Sequence, residues 1–130
     1  MTLGPDQVWQ AYNDAENARD FQTMAQLVAR DLVVTVNGEP AVSSAEDDDR
    51  AMRHLIGAYP DYRRDLVEVL RSGDRAVARW RMLGTPVNGP HLDVPGCSIV
   101  TVEEGCITEA HLYYYSAALD AVLSAAIGDI

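Results

Sequence analysis

Residues 58–119 read AYPDYRRDLVEVLRSGDRAVARWRMLGTPVNGPHLDVPGCSIVTVEEGCITEAHLYYYSAAL, and this stretch decides the fold. From Tyr62 onward, strand-like runs of about ten residues are separated by Ser72-Gly73-Asp74, by the loop Gly84–Pro90 and by Glu103-Glu104-Gly105. Each break carries turn-forming residues, so the stretch predicts a four-strand antiparallel meander.

Upstream the period changes. After Gly4-Pro5, residues Val8, Trp9, Tyr12, Ala15 and Ala18 recur at helical spacing, predicting a helix over about 5–18 with Trp9 and Tyr12 on or beside its buried stripe. Asp20 is placed to cap a second helix with Phe21, Met24, Leu27 and Val28 on one face, ending near Arg30-Asp31, before a strand over 32–37. Ser43 through Glu46 has the form of a capping box. It opens a third helix whose apolar face is Met52, Leu55, Ile56 and Tyr59 and which Pro60 stops. Helices first and a meander after make an α+β chain, and the sheet must curl round the helices to bury one face. The expected architecture is a single cone-shaped α+β barrel over residues 1–130 with a pocket inside. Ser116 is placed to cap a final turn carrying Leu119, Val122 and Leu123 toward the cone mouth.

Composition narrows the function. Twenty acidic residues against ten basic ones oppose binding to a phosphate backbone or an anionic membrane, which needs clustered positive charge. No leader-like or membrane-length apolar run is present, so the expected location is the cytoplasm. Every basic residue is arginine, and without a lysine amine no Schiff base forms. Cys97 and Cys106 are too few for a structural zinc site and read as reduced packing residues. Asp47, Asp48 and Asp49 suit the positive end of the third helix, and because adjacent helical side chains diverge they read as a solvated helix start and not a metal site. No phosphate loop, triad order or helical zinc motif appears, and no cofactor or metal is expected.

Within the meander, Pro60-Asp61, Gly73-Asp74-Arg75, Arg79-Trp80, Gly84-Thr85 with Gly89-Pro90, and Glu104 through Glu109 resemble the SnoaL-like polyketide cyclases, a branch of the nuclear-transport-factor-2-like superfamily. That resemblance implies the cone, a homodimer through the outer face of the sheet, and a cofactor-free cyclase or isomerase acting on a small apolar substrate. The segment VWQAYNDAENARDF also resembles the first helix of the ketosteroid isomerases, where Tyr12 falls at the oxyanion-hole tyrosine. In the same register that family's base meets Val36, with Asn37 beside it, and its second donor meets Ser98 or Cys97.

Departures from the family pattern matter as much. The histidine of a Gly-Thr-His segment is replaced in Gly84-Thr85-Pro86, and the carboxylate that often ends the last strand is replaced in Tyr113-Tyr114-Tyr115. Tyr12, His111 and Tyr115 are therefore the catalytic candidates, with Trp9, Asn37, Trp80, Ser98 and Tyr114 as substrate contacts. His111 titrates near ~6.5 when unperturbed and suits proton transfer. By alternation His111, Tyr113 and Tyr115 share one face of the last strand while Leu112 and Tyr114 share the other, and the resemblances disagree on which lines the pocket. His54, His91 and Asp93 read as solvated. Trp80 reads as packing between Arg79 and Arg81, with Glu68 a cross-strand partner for an arginine. The limonene-epoxide hydrolases, a related cone family, use an aspartate–arginine–aspartate set that the sequence does not display. Two alternatives to a cyclase or isomerase stay open, an epoxide-opening enzyme and a non-catalytic binding cone. Convergence of Tyr12, His111 and Tyr115 on one cavity would favour catalysis.

Overall fold

The structure, a computed structural model, describes residues 3–86, 88–117 and 119. Helix α1 (Pro5–Ala18) starts where Gly4 N donates to Gln7 Oε1 at 3.1 Å and stops where Arg19 turns left-handed at φ 62°. Helix α2 (Phe21–Gln26) is capped by Asp20, whose carboxylate accepts from Thr23 N at 3.1 Å. It ends before the expected Arg30-Asp31, because the chain is drawn into strand β1 (Val28–Val36), where Val28 is in register with Ile107 and Ile107 N donates to Leu27 O at 2.8 Å.

A short strand, β2 (Glu39–Val42), follows a two-residue turn in which Asn37 and Gly38 take φ of 52° and 86°. Both values lie in the left-handed region that Asn and Gly tolerate best. Helix α3 (Ala45–Ala58) is capped by Ser44, not Ser43, with Ser44 Oγ accepting from Asp47 N at 3.0 Å. The predicted meander then appears as β3 (Arg63–Ser72), β4 (Arg75–Gly84), β5 (Leu92–Glu103) and β6 (Cys106–Tyr114).

All six strands form one sheet in the order β2-β1-β6-β5-β4-β3, antiparallel except where β1 and β6 run parallel. Helix α1 packs across β3 to β6, and α3 packs on β1 and β2. The sheet thus curls round the helices as the α+β reading requires. Alternation is clean on β4, where Ala76, Ala78, Trp80 and Met82 are buried and Arg75, Arg79 and Arg81 are exposed. Arg79 meets Glu68 at 2.8 Å and Arg81 meets Asp93, so these arginines are outer-face ion pairs. Asp93 is therefore paired and not merely solvated. At the end of β6, Ser116 Oγ accepts from Leu119 N at 3.2 Å, while Val122 and Leu123 lie outside the described residues.

Candidate active site

Helix α1, helix α3 and the concave faces of β1, β5 and β6 enclose a cavity of about 600 Å³. Its wall is mainly apolar, with Val34, Val100, Ile107 and Leu112 among its side chains. Polar groups gather on the helix side: Tyr12 and Glu16 of α1, Asp48 of α3, and Arg64 of β3. A mostly apolar space with a few convergent polar groups is the usual form of a small-molecule site.

Tyr12 donates its hydroxyl proton to Asp48 Oδ2 over 2.6 Å. The acidic run read as a solvated helix start is therefore only partly so. Asp47 pairs with Arg50 at 3.5 Å and Asp49 with Arg53 at 2.8 Å toward solvent, whereas Asp48 turns into the cavity. The divergence of adjacent helical side chains, which argued against a metal site, is what sends Asp48 inward alone. Burial pushes the Asp48 carboxyl up to about 6; the Tyr12 hydrogen bond opposes that rise and the Glu16 charge adds to it. Burial, followed by the Asp48 charge, holds the Tyr12 phenol well above its usual range, so Tyr12 stays a donor.

Beside this pair lies a buried ion network. Glu16, fully enclosed, accepts from the Tyr62 hydroxyl at 2.8 Å and from Arg64 Nη2 at 3.5 Å. Arg64 Nε donates to Asn13 Oδ1 at 2.7 Å, while its backbone N–H and carbonyl are bound by the Asn17 and Asn13 amides. Burial by itself would lower the Arg64 pKa, but Glu16 and the neighbouring acidic groups outweigh it and the guanidinium is held above its ordinary value. Glu16 and Arg64 thus form a buried ion pair beside Asp48, which makes no salt bridge to a described arginine.

The remaining candidates divide. Trp9, Ser98 and Tyr114 line the cavity. Trp80 does not; it is buried behind the wall, donating Nε1–H to Ser98 Oγ at 2.8 Å, with its ring 6.1 Å from that of Tyr114. Its large ring fits because Gly96 lies opposite it on β5, where a Cβ would stand 2.5 Å from the indole. Asn37 borders the cavity, but its amide clasps the Tyr114 backbone, donating to the carbonyl at 2.7 Å and accepting from the N–H at 3.2 Å.

His111 and Tyr115 are elsewhere. Leu112 and Tyr114 take the concave face of β6, which sends His111 to the convex face, where Nδ1 shares a 2.7 Å hydrogen bond with Thr35 Oγ1 and Nε2 lies 3.6 Å from Glu109. Tyr115, past the end of the strand, is 86% exposed. The expected trio does not converge; Tyr12 meets Asp48 instead. His91 is an exposed loop residue, 3.2 Å from the Thr85 hydroxyl.

Residues 9–110 match the family model of the SnoaL-like domain. The chain belongs to the SnoaL-like family. No curated protein matches it by sequence. Among solved structures, a cystatin-like-fold protein of unknown function from Xanthomonas campestris superposes with a TM-score of 0.78 at 14% identity, over 93% of this chain and 98% of that one. A candidate ketosteroid isomerase from Kribbella flavida matches with a TM-score of 0.70 at 19% identity, over 87% and 78% of the two chains. A candidate polyketide cyclase from Sinorhizobium meliloti matches at 0.69 and 21%, over 82% and 93%. At these identities the likeness is one of fold, and the SnoaL-like chain's chemistry must be argued from its own cavity. No described helix is long and apolar enough to cross a membrane.

Proposed function

We propose that this SnoaL-like protein is a cyclase or isomerase for a small, largely apolar carbonyl compound, with Asp48 as its proton-transfer group. The observation that carries the proposal is the 2.6 Å bond from Tyr12 to Asp48 at the wall of an apolar cavity, with the Asp48 carboxyl pushed up to about 6. A carboxyl titrating there serves as base just above that pH and as acid just below it. Tyr12 fixes Oδ2, and Oδ1 makes no hydrogen bond to a described protein group. In the proposed cycle Asp48 removes a proton from the carbon next to the carbonyl, leaving an enolate. The proton returns at another carbon in an isomerisation. In a ring closure the enolate carbon bonds to a second carbonyl carbon, and Asp48 protonates the resulting alkoxide. Ser98, whose oxygen accepts from Trp80, has its own proton available for the developing oxyanion. Side chains alone carry this chemistry, without a cofactor.

The test needs no knowledge of the natural substrate. Bicyclic ketones such as decalone and tetralone, incubated with the protein in D₂O, should exchange α-protons for deuterium at a rate measurable by NMR. Asp48→Asn should slow that exchange by about 10²–10⁴-fold. Equal rates in the two proteins would remove the catalytic assignment and leave a binding cone. The Asp48 carboxyl, protonated up to about pH 6, supports a second reading, in which it protonates an epoxide oxygen. A hydroxyl of the same substrate attacks the ring carbon, the C–O bond breaks and the hydroxyl proton passes to the Asp48 carboxylate. That activity would rise below pH 6 where ketone exchange falls.

The expected homodimer belongs to the same proposal. Val33, Val77 and Tyr113 are exposed on the convex face of the sheet, where pairing would cover them. Sedimentation velocity should give a dimer that Tyr113→Arg shifts toward monomer; a wild-type monomer would end this part of the reading.

A further inference from the structure

Arg64 is more deeply buried than any other arginine in an ion pair, with a side chain 6% exposed, yet its hydrogen-bonding capacity is not filled. The guanidinium carbon lies 5.1 Å from the Trp9 ring centre and 5.5 Å from that of Trp80, so both indoles attract the cation. Nε is committed to Asn13 and Nη2 to Glu16, while Nη1 makes no hydrogen bond to a described protein group. Nor is Nη1 sealed in: it is absent from the buried unpaired atoms, and Arg64 lines the cavity. A guanidinium offers five N–H donors in a rigid fork, so donors remain unspent where a ligand would sit. Such donors match an oxygen that carries delocalised negative charge.

We infer that the cavity selects ligands bearing an oxyanion, a carboxylate or an enolate, on an apolar frame, and that Arg64 is the residue that holds it. This deepens the reading above and rests on the cavity being the substrate site. Charge balance then assigns a second role to Asp48. Glu16 already offsets Arg64, so an entering anion leaves one negative charge in excess unless the cavity takes up a proton. Asp48 is the group placed to take it, faced by Tyr12 and Glu16 from α1, by Arg64 from β3 and by Asp49 on its own helix, with Glu39 of β2 also on the cavity wall. An anion beside Asp48 favours its protonated form. Binding of an anion is therefore coupled to proton uptake, and affinity strengthens as pH falls toward 6.

Calorimetric titration with 2-naphthoate, 2-naphthamide and 2-naphthylmethylamine separates the possibilities, run at several pH values above 5 in two buffers of different ionisation enthalpy. Naphthoate is expected to bind about tenfold more tightly than the amide at pH 6, with proton uptake that Asp48→Asn abolishes while the preference for naphthoate survives. Arg64→Gln alone would strand Glu16, so the paired variant Glu16→Gln with Arg64→Gln is the control. It should lose the preference for naphthoate, binding the acid and the amide with about equal affinity. In the wild-type protein, equal affinities for naphthoate and amide, or tightest binding of the amine, would overturn the anion anchor and leave the cavity as the ligand site. Failure of all three to bind would overturn both.

Discussion

Tyr62 donates to Glu16 over 2.8 Å and Tyr12 donates to Asp48 over 2.6 Å, two tyrosine–carboxylate bonds anchored on the same helix. Only the first carboxylate has a guanidinium at hydrogen-bond distance, from Arg64. Glu16 and Arg64 form an ion pair that ties α1 to β3, with Tyr62 donating to the same carboxylate, and the two charges offset each other. Asp48 has a phenol for company and no cation in contact, so burial keeps its proton on up to about pH 6. On the proposed reading, the same pair of residue types is structural where a cation completes it and reactive where none does.

The largest effect is expected at the bond that a cation completes. Glu16→Gln leaves Arg64 buried among Trp9, Trp80 and Asn13 with no carboxylate, and loss of one partner from a buried pair costs about 3–5 kcal/mol. Denaturant unfolding should show a drop of that order, and a loss below about 1 kcal/mol would mean the pair does not hold the helix to the sheet. The same variant has a readout that simple loosening would not give. Glu16 raises the Asp48 pKa and Arg64 lowers it, so removing the glutamate charge and freeing the arginine both act downward. The pH midpoint of deuterium exchange should move below 6.

Much of this frame was legible in the sequence, and the part that was not has physical reasons. Turn residues and strand-length runs displayed the meander, and Trp80 between two arginines gave the inward face of β4. Strand β2 escaped because it is four residues long and contains Pro40, although the Asn37-Gly38 turn before it is a hairpin signal. Asp48 was hidden among three aspartates, whose composition argues for solvent. Its phase argued otherwise, since it stands four residues before Met52 and seven before Leu55, on the apolar stripe. Arg64 was masked by Arg63, and only the strand's alternation distinguishes the buried member from the exposed one. The faces of β6 could not be decided locally. Its parallel pairing with β1 brings together residues 28–36 and 107–112, a contact no local pattern encodes.

At the Tyr12–Asp48 bond, which no cation completes, the expected effect is smaller. The Asp48 carboxyl is raised from 3.8 to about 6 on folding, so between those values the folded chain holds a proton that the unfolded chain has released. Stability must then fall as pH rises from about 4 to about 6, and the stabilisation lost is not regained above that range. Asp48→Asn removes this slope, and its amide oxygen still accepts the Tyr12 proton. The difference between wild type and variant isolates Asp48 from the other acidic groups. At pH 7 the variant should be the more stable protein by about 1–3 kcal/mol, with the difference vanishing near pH 4. A variant less stable than wild type at pH 7 would show that the charged Tyr12–Asp48 pair holds the fold as Tyr62–Glu16 does, and the distinction between the two would be lost. A more stable variant that no longer exchanges protons would show that the folded chain keeps a destabilising charge in its cavity because the chemistry needs it there.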